Sequence, residues 1–237
     1  ASRKSVLDAD KILISANAGP SQMAGKLCDK NFFSTSWQND QTPMAMGEVL
    51  NQMGIKNLYI MAPNYAAGKN MVSGVERTFK GKIVGKDMTK FPTQLDFSAE
   101  LAKVRSVKPD AVFIFYPGKH GVQFFKQYAQ SGLKGNIPLY SVFAIDALSL
   151  PRIGDMVEGT LMTQFWAPDL ATPVSKIFVQ DYRKKYGRYP TFYAAQSYDT
   201  IMLIDSAVRA VNGDLSNKDG MRAAMRRAAF PSVRGPF

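Results

Sequence analysis

The seven residues Asp110 to Tyr116 read DAVFIFY, a run that is apolar without interruption after its first residue. A strand with one wet face alternates apolar and polar side chains. A run this apolar is predicted to be a strand buried on both faces, the kind found in parallel sheets covered by helices above and below. That one segment restricts the chain to layered α/β architectures, and the neighbouring sequence can be tested against the restriction.

The neighbours alternate as a parallel sheet requires. DFSAELAKVRSVKP (96–109) places apolar residues three and four apart and predicts a helix before the run, and GVQFFKQYAQSG predicts one after it. IPLYSVF follows as a strand. Upstream, TPMAMGEVLNQMG (42–54) predicts a helix with Thr42 as N-cap, Pro43 at the first position and Gly54 ending it. IKNLYIMA, GKNMVSGVERTFKG and KIVGKDMT continue as strand, helix and strand. Strand and helix recurring every roughly 25–30 residues predict right-handed βαβ units. Residues 40–165 are therefore expected to form a complete α/β lobe.

The flanks are less complete. KILIS (11–15) predicts one strand, whereas ATPVSKIFVQDYRKKYG, TFYAAQSYDTIMLIDSAVRAVNG and SNKDGMRAAMRRAAF predict three successive helices. Helices on an open sheet need a sheet to cover. Residues 1–39 and 166–237 are thus expected to be parts of another lobe, incomplete in this chain, with a crossover near FWAPDLATP. The opening ASRKSVLDADKILISANAG reads as a helix tail running into a strand, so the true beginning of the protein is expected upstream, which leaves room for a removed export signal.

Composition narrows the function classes. With 46% hydrophobic and 21% charged residues the chain reads as an ordinary globular protein. No run approaches the ~18 apolar residues of a membrane span. Thirty Lys and Arg against nineteen Asp and Glu give a net charge of +11. The basic residues lie scattered on helical faces, as in DYRKKYGR and MRAAMRR, with no basic-aromatic module, which predicts a solvated basic surface and no nucleic-acid partner. A single cysteine, Cys28, excludes a Cys-rich zinc module and an internal disulfide; it reads as a small buried residue or as one whose partner lies outside this chain.

APNYAAGKN resembles a phosphate-binding loop at its Gly68–Lys69, but Ala62 or Pro63 stands where the first glycine belongs and Asn70 where a hydroxyl belongs. Gly68 and Lys69 are read as an ordinary helix start. What the segment retains is its place, because parallel α/β sheets bind ligands beyond the carboxyl ends of their strands. Tyr65 lies at one strand exit, Tyr116, Pro117 and Gly118 at a second, and Phe143 and Ala144 at a third. Three aromatic exits predict an aromatic-lined cleft, against the plainer reading that they cap the core. His120, the only histidine, is expected to be exposed in a first helical turn. No H-E-x-x-H, no G-x-S-x-G and no metal cluster is present, and Asp96 with Glu100 reads as a solvated first turn. No catalytic residue, metal or cofactor is expected.

Five stretches carry a family resemblance: ILISANAGPSQMAG, NLYIMAPNYAAGKNMVSGVE, DFSAELAKVRSVKPDAVFIFYPGKHGVQFFKQYAQSGLK, IGDMVEGTLMTQFW and YPTFYAAQSYDTIMLIDSAV. Together they resemble the periplasmic substrate-binding proteins of branched-chain amino-acid-type ABC transporters, the type I periplasmic binding fold. The resemblance implies two Rossmann-like lobes with parallel sheets and hinge crossovers near 35–40 and 165–171, a ligand held between lobes by closure, a membrane permease as partner and a periplasmic location. It implies a ligand loop at Ser15, Ala16, Asn17, Ala18 and Gly19, and further ligand positions at Tyr65, at Tyr116 and Pro117, and at 142–145. Amino-acid binders carry an acidic residue in that last loop for the ligand ammonium; this chain has Phe143 beside Ala144. An ammonium buried without an anion costs about several kcal/mol, so the expected ligand is an aromatic or otherwise apolar carboxylate, with Tyr65, Tyr116, Phe143 and Tyr198 as stacking surface. A ligand-sensing receptor or regulatory domain of the same fold, branched-chain amino-acid binding, and an enzyme of a doubly wound fold stand as alternatives.

Overall fold

The computed structural model describes residues 3–236. In chain order the elements are α1 (Arg3–Asp8), β1 (Leu13–Ser15), β2 (Phe32–Ser34), α2 (Gln41–Gln52), β3 (Asn57–Pro63), α3 (Ala66–Thr78), β4 (Lys82–Thr89) and α4 (Ser98–Val107). They continue with β5 (Ala111–Ile114), α5 (Lys119–Gln130), β6 (Leu139–Val142), α6 (Leu150–Ile153), β7 (Leu161–Thr163), α7 (Pro173–Tyr186), α8 (Phe192–Ala210) and α9 (Lys218–Arg227). The chain divides into two compact units, 1–38 with 165–237 and 39–164.

The second unit, 39–164, is built on one parallel sheet of order β4-β3-β5-β6-β7. The run that predicted it is β5, buried at all four positions. Because side chains alternate across a strand, Tyr59, Met61, Val112, Ile114 and Tyr116 share a face. There they pack with Leu101 and Val104 of α4 and Phe124, Phe125 and Tyr128 of α5. Leu58, Ile60 and Phe113 are buried on the opposite face, the side of α2 and α3, which pack on each other. Fully burying side chains of this size stabilises by about 1.5–3 kcal/mol each. Asp110, just before β5, accepts hydrogen bonds from the N–H groups of Lys56 (2.9 Å) and Asn57 (2.8 Å) and so aligns the start of β3 beside it.

Two local expectations are corrected here. Helix α2 begins at Gln41, one residue before the predicted cap, so Thr42 and Pro43 lie inside its first turn and Asp40 holds the cap position. Gly68 is more than an ordinary helix start: a Cβ there would stand 1.9 Å from the Pro63 carbonyl oxygen. Only glycine lets α3 leave β3 in so tight a turn.

In the first unit β1 pairs with β2 in parallel, Leu13 opposite Phe32 and Ser15 opposite Ser34. Strand β2 carried no prediction; three residues, two phenylalanines and a serine, give too short a pattern to read. Leu203 and Ala207 of α8 meet Met221, Ala224 and Met225 of α9, with Ile14 and Phe33 packed against them. Thr172, Thr191 and Asn217 cap α7, α8 and α9 by accepting from the N–H of Ser175, Ala194 and Gly220, a pattern worth about 1 kcal/mol per helix. Among the described residues no helix is long and apolar enough to cross a membrane. Cys28 is exposed, which corrects the buried reading.

Candidate functional site

The strand order of the second unit fixes where a ligand crevice can open. After β3 the chain adds β4 on one side and β5 on the other. The connections leaving β3 and β5 therefore depart to opposite faces, and the gap between them at the carboxyl edge is the topological switch point. Tyr65 stands at the β3 exit as the N-cap residue of α3, in extended conformation. Its ring stacks on Phe91, 4.4 Å between centroids and 15° from parallel, and on Phe115 at 6.4 Å and 23°. Phe91 comes from the segment after β4 and is 43% exposed, whereas Phe115 leaves β5 and is buried. Burial pushes the Tyr65 phenol up to about 12, and its hydroxyl has no hydrogen-bond partner among the described residues.

His120 is buried rather than exposed, and the reason lies in this stack. Its Nε2 is 3.0 Å from the Pro92 carbonyl oxygen and its ring lies 5.3 Å from Phe91. The histidine thus anchors the segment that carries Phe91.

The remaining predicted residues of this unit fall in different places. Tyr116 is fully buried in the core, against Phe124 at 5.2 Å and Phe97 at 4.8 Å. Its hydroxyl lies 3.1 Å from the Thr89 hydroxyl, and desolvation pushes its pKa up. Alternation along β5 gives the edge position to Phe115 and turns Tyr116 inward. Pro117 is half-buried between Tyr116 and α5. Phe143 is buried with φ 54°, a left-handed backbone that a bulky residue adopts only under strain of about 1–3 kcal/mol. Ala144 belongs to the core, and Ser149 Oγ lies 3.4 Å from its carbonyl oxygen. The acid nearest in sequence, Asp146, spends its Oδ1 on the N–H groups of Leu148 (2.9 Å) and Ser149 (2.8 Å). It closes its own turn.

In the first unit the predicted loop follows β1. The Ser15 Oγ lies 2.7 Å from both the Asn17 and the Ala18 carbonyl oxygens, so the hydroxyl is directed into the loop itself. Ala18 has φ 72°, and Gly19 packs so closely on the segment after β2 that a Cβ would fall 1.5 Å from the Trp37 carbonyl oxygen. Trp37 brings in groups the sequence reading missed: its ring lies 5.2 Å from Phe165 and 5.9 Å from Phe192. Gln196, on α8, is fully buried and donates from Nε2 to the Ser36 hydroxyl at 3.2 Å. Its Oε1 is buried without a hydrogen-bond partner among the described residues. Tyr198, two residues on, lies on another side of the helix, 37% exposed and packed 5.0 Å from Phe178 of α7. The structure does not bring it to the Ser15–Gly19 loop.

The chemistry available is that of binding. Aromatic faces, a buried amide and a phenol supply stacking and hydrogen bonds. Among the described residues no three His, Cys, Asp or Glu side chains gather as a metal site would require.

Parallel sheets with aromatic side chains at a carboxyl edge place the chain among layered α/β proteins that can bind ligands at that edge, and the comparisons with known proteins identify the family. The family model described as periplasmic binding protein matches residues 1–237, and the chain belongs to that family. Its fold is that of the type I periplasmic binding proteins, a family of non-enzymatic solute-binding proteins. The chain is 33% identical to a solute binding protein of an ABC transporter from R. palustris solved in complex with benzoate, with a TM-score of 0.93 covering 99% of this chain and 65% of that one. A solute binding protein from Rhodopseudomonas palustris BisB5, solved in complex with 3,4-dihydroxy benzoic acid, is 25% identical with a TM-score of 0.87, covering 99% and 65%. A Leu/Ile/Val-binding protein homolog 6 of Brucella melitensis is 28% identical over 212 residues, 85% of this chain and 53% of its own length. The chain thus spans about half the length of the curated relatives it matches.

Proposed function

We propose that the protein is the solute-binding component of an ABC import system and that its ligand is a small aromatic carboxylate. The observation that carries this reading is the Tyr65–Phe91–Phe115 stack at the switch point of the second unit, with a phenol hydroxyl left unpartnered. A flat ring extends such a stack at little entropic cost, and stacking contributes about 0.5–1.5 kcal/mol per aromatic pair beyond area burial. At the same edge Phe143 stands at the position the family resemblance marks as acidic, and Asp146, the acid nearest in sequence, directs its Oδ1 into its own turn. The benzoate and dihydroxybenzoate complexes of the two Rhodopseudomonas proteins support the same class.

Function then consists of capture and delivery without covalent chemistry. The ligand-loaded protein presents itself to a membrane permease, in the periplasm or outside the cell. The Leu/Ile/Val-binding homologues of Brucella make leucine the competitor to test. Isothermal titration of the full-length protein with benzoate, 4-hydroxybenzoate and leucine decides the matter. Benzoate-type acids are expected to bind and leucine not. Submillimolar leucine binding with none for the benzoates sinks the ligand class.

A further inference from the structure

Of the three stacked rings in the second unit, Tyr65 caps α3 and Phe115 directly follows β5, whereas Phe91 rides on the connection 90–97 between β4 and α4. It is also the most exposed of the three. An exposed side chain on a connection ordinarily samples several rotamers and is ordered only when a ligand arrives. Phe91 nevertheless lies within 15° of the Tyr65 plane. We propose that His120 and Gln127 of α5 are positioning residues that hold Phe91 parallel to Tyr65 and so set a preference for flat aromatic acids over saturated acids of the same charge; this rests on the aromatic-carboxylate reading above and names what makes the stack selective.

Three observations carry it. The connection is attached to α5 at two separate points. Near its start the His120 Nε2 lies 3.0 Å from the carbonyl oxygen of Pro92, the residue after Phe91; a carbonyl only accepts, so the ring nitrogen donates. Near its end the Gln127 amide uses both of its groups, donating from Nε2 to the Leu95 carbonyl oxygen at 2.8 Å and accepting from the Phe97 N–H at 2.7 Å. His120 and Gln127 are seven residues apart, about two turns and about 10 Å along one face of the helix. Two attachments at that spacing fix an orientation, where one would leave a pivot.

The attachments are themselves immobile. Helix α5 buries Val122, Phe124, Phe125 and Tyr128 in the core of the unit, and His120 is 6% exposed. Phe97, where the connection ends, is fully buried between Tyr116 at 4.8 Å and Phe124 at 5.4 Å. Within the connection Gln94 accepts from the Lys90 N–H at 3.0 Å and donates to Glu100 of α4 at 2.8 Å.

The third is contact with the ring itself. Phe91 meets the His120 ring at 5.3 Å as well as the Tyr65 ring at 4.4 Å, so the histidine restrains the side chain together with its backbone. A ring fixed in advance pays no ordering cost on binding, a saving of about 2- to 12-fold in affinity for one side chain. A flat π face gains from this parallel arrangement what a puckered saturated ring cannot.

The test uses the full-length protein, with benzoate and cyclohexanecarboxylate as probes in isothermal titration and a melting curve for each variant. The two acids carry the same charge and differ in the flat ring, so the ratio of their affinities reports the stack, and a general loss of packing does not move it. His120→Ala is expected to lower that ratio about 2- to 12-fold. His120→Gln, whose side-chain amide can still donate to the Pro92 carbonyl, is expected to recover part of the loss. Gln127→Leu removes both bonds at the second attachment and is expected to lower the ratio as well. In a Phe91→Ala background none of these changes is expected to move the ratio further, because each acts through that ring. A ratio unchanged in both His120→Ala and Gln127→Leu overturns the assignment. So does a fall that persists in the Phe91→Ala background, a parent that binds the two acids equally, or equal losses for both acids that track the melting temperature. A parent protein that binds no benzoate-type acid overturns the ligand class instead, and the two attachments are then read without ligand. The Tyr65 phenol, held at about 12 by burial, is expected to fall toward the ordinary 10.0 in His120→Ala; a value that stays near 12 overturns the positioning role.

Discussion

Tyr65 and Phe91 come from the exits of adjacent strands, β3 and β4, yet their rings stack 4.4 Å apart and within 15° of parallel. Stacked this way they present one continuous aromatic face, backed by the buried Phe115.

Tyr65→Ala should remove that face and weaken ligand binding about 5- to 30-fold, the scale of about 1–2 kcal/mol for an aromatic contact with its area. Tyr65→Phe keeps the face and removes only the hydroxyl, at a cost of about 2- to 10-fold. The phenol offers a separate check by ultraviolet titration. Its folded-state value is raised to about 12 from the ordinary 10.0, so its contribution to stability is present below pH 10 and lost as pH rises through about 12. The absorbance step near pH 12 should vanish in Tyr65→Phe; a step that persists assigns it to another tyrosine.

Gly68→Ala should destabilise the second unit by about 1–3 kcal/mol, the usual cost of overpacking, because the added Cβ would meet the Pro63 carbonyl oxygen at 1.9 Å. Urea unfolding measures it. Unchanged stability would mean that the β3–α3 turn relaxes without cost.

Gly19→Ala acts on the other unit. Its Cβ would strike the Trp37 carbonyl oxygen, forcing the backbone that positions the Trp37 ring against Phe165 and Phe192. In a Trp166→Phe background, which leaves Trp37 as the one tryptophan among residues 1–237, the variant is expected to show altered emission. An identical spectrum counts against a fixed loop.

Much of the fold was legible in the sequence because its signals are local. The buried run of β5 and the helical spacing around it each lie within a few residues of what they specify. The site was less legible for the same reason. Trp37, Phe165 and Phe192 converge from three distant segments, and no window of sequence holds two of these partners in register. Phe91 sits among turn residues where no periodicity applies. Tyr116 shows the limit of reading residue type alone: the strand exit was found, but one step of the two-residue alternation decides that Phe115 takes the edge and Tyr116 the core. His120 and Cys28 were each assigned the wrong exposure, since neither helical position nor residue type reports what a loop such as Phe91–Pro92 lays over it.

Stability in acid should depend on a contact between chain segments far apart in sequence. Asp10 accepts from Lys218 at 2.8 Å and from the Asn31 amide at 2.9 Å, and these bonds hold its carboxyl at about 2, below the ordinary 3.8. A depressed value stabilises the folded state above the ordinary pKa, and that contribution disappears as pH falls through about 2. Asp10→Asn should therefore flatten the dependence of stability on pH across that interval, as urea unfolding at fixed pH values measures. A slope unchanged by the substitution would place the acid sensitivity elsewhere.

The hydroxyl of Thr163 in β7 donates to the Thr42 carbonyl oxygen in α2 at 2.8 Å, joining the first and last elements of the 39–164 unit. A stretch of chain whose two ends meet behaves as a cassette. It can be excised, circularly permuted or moved into a different host with short linkers, because little distance has to be bridged. It can also melt on its own schedule, so a calorimetric trace of the whole protein should resolve into more than one transition.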